Sequence, residues 1–196
     1  MNDNKLRENL VRARSRIFEY GMCNDWDFFV TLTIDKNKFD RYDLKNYYSK
    51  FSQFLRDYGR QHNLQIKYLF IPEKHKDGAW HMHGFIHGLP IDHLEVNHHG
   101  YYDWLSYSSK FGYISLDMIR NKDKASSYIT KYISKNLVDC VTELNSKMYY
   151  CSKGLKKAEV IKKGSISANI EPSFSNEYVE IKYFDNADLA LSYFDE

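Results

Sequence analysis

Two apolar runs, Ile66–Ile71 (IKYLFI) and Ala79–His87 (AWHMHGFIH), flank an Asp77-Gly78 pair near the middle of the chain. Asp-Gly is a hairpin signal, because glycine takes the left-handed conformation that closes two antiparallel strands. A strand and a helix precede this hairpin. Asp27–Ile34 (DFFVTLTI) is rich in aromatic and β-branched residues. Residues 43–62 place Leu44, Tyr47, Tyr48, Phe51, Phe54, Leu55 and Tyr58 at helical spacing. Residues 4–20 read as a basic amphipathic helix, 88–110 as a loop-rich insertion, 111–119 as a fourth strand and 122–137 as a helix. A late strand is expected at Tyr178–Phe184. The order predicts an α+β fold, a central antiparallel sheet of about five strands with helices packed on one face.

The 196 residues allow one core, divided as a basic N-terminal helix (1–24), a main domain (25–165) and an acidic C-terminal extension (166–196) packed on the same domain. No apolar stretch approaches a membrane span, and the N-terminal MNDNKLRENLVRARSR has no apolar core of a signal peptide. Cys23, Cys140 and Cys151 form neither a disulfide framework nor a CxxC clip. These features predict a soluble protein of the cytoplasm. The net charge of +2 hides a division: residues 171–196 hold seven acids against Lys182, a net −6, which leaves +8 on residues 1–170. Arg7, Arg12, Arg14 and Arg16 form one basic cluster, and Lys147, Lys153, Lys156, Lys157, Lys162 and Lys163 another. A basic body suits an anionic partner, although solvated surface lysines would give the same counts.

Seven of the eight histidines lie between positions 75 and 99. Along Trp80–His87 the alternation of a strand puts Trp80, Met82 and Ile86 on one face, which reads as core. His81, His83, Phe85 and His87 fall on the other. Two imidazoles about 7 Å apart on one face of a strand are half of a metal site. Solvent-facing histidines on an edge strand are the plain alternative. Glu73 is the candidate third ligand. A three-residue loop, Lys76-Asp77-Gly78, pairs Glu73 with His81 on the histidine face, whereas a two-residue Asp77-Gly78 turn puts it opposite Met82 on the wrong face. The metal reading therefore requires the longer loop. His75, His87, His98 and His99 read as surface or supporting groups.

The second constellation is Ser127-Tyr128-Ile129-Thr130-Lys131-Tyr132-Ile133-Ser134-Lys135. At about 100° per residue, Tyr128, Tyr132, Lys131 and Lys135 share an arc of about 100°, while Ile129, Ile133 and Leu137 form a buried stripe. A phenol is a poor nucleophile, but nearby cations and a metal-polarised phosphate make it competent for phosphoryl transfer. Attack by tyrosine conserves the ester as a phosphotyrosine, so a broken strand is resealed without ATP. In a chain with 17 tyrosines, a packing edge is the competing explanation.

His-Met-His on a strand, followed 45 residues later by YITKYISK on a helix, resembles the HUH endonucleases, in particular the replication-associated proteins of filamentous-phage gene II type and their relatives in microviruses, prophages and small plasmids. Phe29-Val30-Thr31-Leu32-Thr33 is similar to the first motif of that family, residues 72–84 to its metal motif, and residues 126–135 to its two-tyrosine motif. Residues 150–157 (YCSKGLKK) resemble a stretch that follows. The resemblance implies the ferredoxin-like HUH fold with the histidine strand central. It implies a Mg²⁺ or Mn²⁺ ion held by His81, His83 and Glu73, with Tyr128 and Tyr132 as nucleophiles. Lys131 and Lys135 would steady the phosphate or leaving group, and Thr31, Thr33, Lys153, Lys156 and Lys157 would contact DNA. The implied activity is rolling-circle initiation: nicking of single-stranded origin DNA through a 5′-phosphotyrosine, then strand transfer. There is no GxxxxGK[ST] motor motif, so helicase and polymerase of a bacterial host are expected in trans.

Three other readings compete. An HUH transposase usually has one tyrosine, and a relaxase a third histidine where this chain offers Glu73. A non-catalytic single-stranded nucleic-acid-binding domain would use aromatics for stacking and lysines for phosphates. A hydrolase using water would leave the tyrosines structural.

Overall fold

In the computed structural model, residues 3–140, 147–175 and 180–195 are described, without the side chains of residues 3–7, 131, 133–140 and 174. The chain divides into two compact units, Met1–Lys157 and Ala158–Glu196. The first runs α1 (Asp3–Cys23), β1 (Phe28–Thr33), α2 (Leu44–Gln61), β2 (Lys67–Lys74), β3 (Trp80–His87), a 3-10 turn at Ile91–His93, β4 (Glu95–Val96), β5 (Tyr102–Asp103), α3 (Leu105–Ser108), β6 (Ile114–Met118), α4 (Lys122–Cys140) and β7 (Tyr150–Cys151). The second contains β8 (Phe174–Ser175), β9 (Glu180–Ile181) and α5 (Ala187–Leu191). The expected strand at Tyr178–Phe184 falls partly outside the described residues; β9 lies within it. No described helix is long and apolar enough to cross a membrane.

The fold is α+β, with an antiparallel sheet of seven strands in the order β4-β5-β6-β1-β3-β2-β7. The count exceeds five for a local reason. The 88–110 insertion adds two two-residue strands at one edge, and Tyr150–Cys151 pairs with β2 at the other. Strands that short carry no periodicity. The histidine strand β3 sits between β1 and β2.

Helices cover both faces of the sheet, not one. Alternation sends Val30, Leu32, Phe70, Met82 and Ile86 into a core with Tyr47, Phe51, Phe54, Leu55 and Tyr58 of α2. Asp43 caps that helix, its side chain accepting from the Asn46 N–H at 2.9 Å. The intervening residues Leu69, Ile71 and Phe85 meet Ile17 of α1, Ile129 of α4 and Trp26 in a smaller second core. The histidine-bearing face is therefore partly core as well, since Phe85 is fully buried there. α1 and α4 cross closely at Gly21, where a Cβ would come within 2.6 Å of the Ser126 hydroxyl.

The hairpin between β2 and β3 fixes the register of the site. Gly78 has φ 85°, the Gly78 N–H donates to the His75 carbonyl at 2.8 Å, and the His75 N–H donates to the Ala79 carbonyl at 2.8 Å. The loop is thus Lys76-Asp77-Gly78, and Glu73 stands opposite His81. Beyond it, Gly84 accommodates a close approach of β2: a Cβ there would lie 2.0 Å from the Leu69 carbonyl oxygen.

Candidate active site

Three strands deliver side chains to one end of the sheet. β1 and β2 finish there and β3 starts there. The β1–β3 register sets Thr31 opposite His83 and Thr33 opposite His81. The Thr31 hydroxyl lies 3.1 Å from His83 Nδ1, and the Thr33 hydroxyl 3.1 Å from His81 Nδ1. These threonines, expected to touch DNA, are engaged with the histidines. A hydroxyl both donates and accepts, so each can hold its imidazole in either neutral tautomer. His83 Nε2 lies 2.6 Å from Glu73 Oε2. A carboxylate only accepts, so in the neutral ring Nε2–H donates to Glu73 and Nδ1 accepts from Thr31. Loss of the Nε2 proton to a cation would reverse the Thr31 bond, with Nδ1–H donating to its oxygen.

Burial is the main force on both imidazoles. It pushes His81 down to about 4, helped by His75, His83 and Arg41 and opposed by Glu73. It also lowers His83, with Glu73 opposing. Both rings are therefore neutral near pH 7, the form that ligates a metal.

The tyrosine helix reaches the same place. The Tyr132 ring stacks on His83, with centroids 4.1 Å apart and an interplanar angle of 14°. Its hydroxyl donates to the Tyr128 hydroxyl at 2.9 Å. Phe29, two residues before Thr31 on the same strand face, packs its ring 5.6 Å from Tyr128 and 6.4 Å from Tyr132. Glu73, His83, Tyr132 and Tyr128 thus form a continuous series of contacts. Tyr132 is pushed up, first by burial, then by Tyr128 and Glu73. Tyr128 is 47% exposed. Ile129, between them, is fully buried, as the helical wheel requires. The side chains of Lys131 and Lys135 lie outside the described residues.

Two histidines and a carboxylate are a suitable donor set for Mn²⁺ or Mg²⁺. Among the described residues, no three His, Cys, Asp or Glu side chains are arranged to hold one ion. His83 and Glu73 are bonded to each other, and the His81 ring stacks on His75 with centroids 4.1 Å apart. The donor chemistry nonetheless fits. Glu73 and His81 are cross-strand partners, and threonine holds Nδ1 of both histidines, which leaves Nε2 to ligate. Ligation would require the Glu73–His83 bond to open and His81 to leave His75.

Not every expected residue joins this end. β7 pairs Leu69 with Cys151, and the Ser152 N–H donates to the Tyr68 carbonyl at 3.0 Å. The chain then runs past the opposite end of β2, about 20 Å from Glu73 at the rise of a strand. Buried Asn24 fixes that end: its carbonyl oxygen accepts from the Lys156 N–H at 2.8 Å, and its amide donates to the Lys156 carbonyl at 3.0 Å. Lys153, Lys156 and Lys157 therefore do not share a site with the histidines. His87 also points away from the site, toward Asp27 at 3.0 Å, and His98 and His99 sit in the β4–β5 connection.

The sequence reading missed the roles of Phe29, Thr31 and Thr33. Their period-two spacing on one strand was the available signal, but only the β1–β3 register reveals what they touch.

Comparison with curated proteins returned no match, and neither did comparison with solved structures. The family model for replication-associated proteins of the ORF2 and phage gene II type matches residues 27–137. That span begins just before β1 and ends within α4, so it contains Thr31, Thr33, Glu73, both histidines and both tyrosines, and on this match over more than half its length the chain belongs to the ORF2 and gene II family of replication-associated proteins.

Proposed function

We propose that this protein is a rolling-circle replication initiator that nicks and rejoins single-stranded origin DNA through tyrosine. Family membership supplies a replication-associated role and implies interaction with DNA. The observation that carries the finer reading is the contact series from Glu73 through His83 and Tyr132 to Tyr128. It brings a metal-type donor set within one side chain of two phenols. A hydrolase using water has no need of that second element.

His81, His83 and Glu73 would hold a divalent ion, Mg²⁺ or Mn²⁺, whose charge would polarise a phosphodiester. Thr31 and Thr33, bonded to Nδ1 of the two imidazoles, would leave Nε2 of each as the ligating nitrogen. Tyr128, half-exposed, would attack phosphorus, and the Tyr132 O–H, which donates to its oxygen, would stabilise negative charge there. The phenolic oxygen bonds to phosphorus as the P–O3′ bond breaks, leaving a 5′-phosphotyrosine and a free 3′ hydroxyl. The second phenol gives the enzyme a nucleophile for the next cut, after which the 3′ hydroxyl attacks the phosphotyrosine and reseals the strand. Lys131 and Lys135 would steady the phosphate or leaving group, and Lys153, Lys156 and Lys157, at the far end of the sheet, would hold more distant backbone. Host helicase and polymerase would act in trans on a phage or plasmid replicon.

The test is incubation with a labelled single-stranded oligonucleotide carrying the origin, with Mn²⁺ or EDTA. A covalent protein–DNA adduct with Mn²⁺ and none with EDTA is expected. Cleavage without an adduct would favour the hydrolase, and binding that ignores EDTA without cleavage would favour a non-catalytic domain.

A further inference from the structure

Beside the start of the histidine strand lies a cation that neither motif contains. Arg41, in the loop between β1 and α2, is tied to the start of β3: the Trp80 N–H donates to its carbonyl at 2.9 Å, and Trp80 Nε1–H donates to the Tyr42 carbonyl at 3.2 Å. The Tyr42 ring closes over the hairpin tip, 3.4 Å from where a Gly78 Cβ would be. The Arg41 backbone is therefore held against the residue that precedes His81. Its guanidinium is underused. Nε is buried with no hydrogen-bond acceptor, and Nη2 reaches Asp77 Oδ2 at a long 3.3 Å. Asp77 is already committed to the turn, where its Oδ1 accepts from the Ala79 N–H at 3.1 Å, and its side chain is 55% exposed. An exposed ion pair of this kind is weak and readily exchanged.

We infer that Arg41 is a phosphate-binding residue of this site, parked on Asp77 in the free protein and transferred to a DNA phosphodiester when a strand enters beside His81. A guanidinium grips a phosphate with two parallel N–H···O bonds, which a single long contact to Asp77 does not match. The need follows from charge. A phosphodiester carries one negative charge and gains a second as an oxygen attacks phosphorus, so a fixed cation at the strand's entry both positions it and favours the charge that develops. The inference rests on the single-stranded DNA reading above and names a further residue for it.

The experiment measures binding of the full chain, in EDTA so that no metal-dependent cleavage intervenes, to a fluorescent single-stranded oligonucleotide by anisotropy between about 50 and 200 mM NaCl. Arg41→Gln should weaken binding roughly tenfold. It should also reduce the log–log salt slope by about 0.7, the value of one phosphate contact on a single strand. Arg41→Lys should keep the slope and lose part of the affinity. Asp77→Asn, which retains the oxygen that accepts from Ala79, should bind more tightly because the guanidinium is freed. If Arg41→Gln fails to fold, the Lys and Asp77→Asn variants carry the same contrast. An unchanged affinity and slope in Arg41→Gln, or weaker binding in Asp77→Asn, would overturn the inference while leaving the functional reading standing. Absence of binding by the wild-type chain would instead remove both.

Discussion

Two pairs of hydrogen-bonded tyrosines sit on opposite faces of the same sheet. Tyr47 and Tyr107, on the α2 face, have hydroxyl oxygens 2.6 Å apart and are both fully buried. Tyr128 and Tyr132, on the α4 face, have oxygens 2.9 Å apart, with Tyr128 half-exposed. The chemical groups are identical and the surroundings are not. Phe51, Phe111 and Trp104 enclose the first pair. Burial raises both of its phenols, and each hydroxyl serves to satisfy the other. The second pair lies where the smaller core of Ile17, Leu69, Ile71, Phe85 and Ile129 gives way to the histidines and Glu73. A phenol pair acquires chemistry from what lies beside it, and here the apolar packing stops one residue short of a metal-type donor set.

The comparison breaks first at the second pair. Tyr128→Phe together with Tyr132→Phe should abolish covalent adduct formation while the thermal midpoint stays close to wild type, because one phenol is half in water and the apolar rings remain. Gel analysis of labelled DNA beside a melting curve reads both. Next, Thr31→Val with Thr33→Val should lower Mn²⁺ affinity about 10- to 100-fold by freeing the imidazoles, as loss of supporting hydrogen bonds does at metal sites. Titration calorimetry measures this without reference to activity. Tyr107→Phe is the mirror experiment. It leaves the Tyr47 hydroxyl buried without its partner, so stability should fall by about 1–3 kcal/mol in denaturant unfolding, with adduct formation per folded molecule unchanged. The smallest effect concerns pH. His81, held near 4 by burial, and His83, also lowered, bind protons more weakly folded than unfolded, where histidine titrates near 6.5. Stability is therefore fully present above about 6.5 and is lost as pH falls toward 4. His81→Asn should flatten that part of a melting-temperature profile; an unaltered slope would count against the imidazole's neutrality.

How much of this was legible in the sequence depends on the range of the interactions involved. The Glu73–His81 pairing is one of two registers that the Asp77-Gly78 pair allows, and the three-residue loop closed by the left-handed Gly78 selects it in the structure. The Tyr128–Tyr132 edge followed from helical geometry. Thr31 and Thr33 were visible as motif residues, but their hold on the histidines depends on the pairing of strands some 50 residues apart, which local pattern does not encode. The covering of both sheet faces is not legible because alternation alone puts Phe85 with the histidines, whereas it packs with Ile129 of α4 and Ile17 of α1 in the second core. Lys153, Lys156 and Lys157 are expected to contact DNA from the resemblance of residues 150–157; the pairing of β7 on β2 directs them to the end of the sheet away from the histidines. Arg41 lies in an irregular loop with no periodicity, and only the contacts of Trp80 and Asp77 reveal its position.

The most direct measurement is the identity of the residue that becomes attached to DNA. Wild-type protein is incubated with single-stranded origin oligonucleotide and Mn²⁺, the adduct is trimmed with nuclease and protease, and the nucleotide-bearing peptide is sequenced by mass spectrometry. The nucleotide should be found on Tyr128 or Tyr132 and nowhere else, and should vanish with EDTA. An adduct on any of the other tyrosines, or efficient cleavage with no adduct, would contradict the claim that the phenol pair beside His83 carries the reaction.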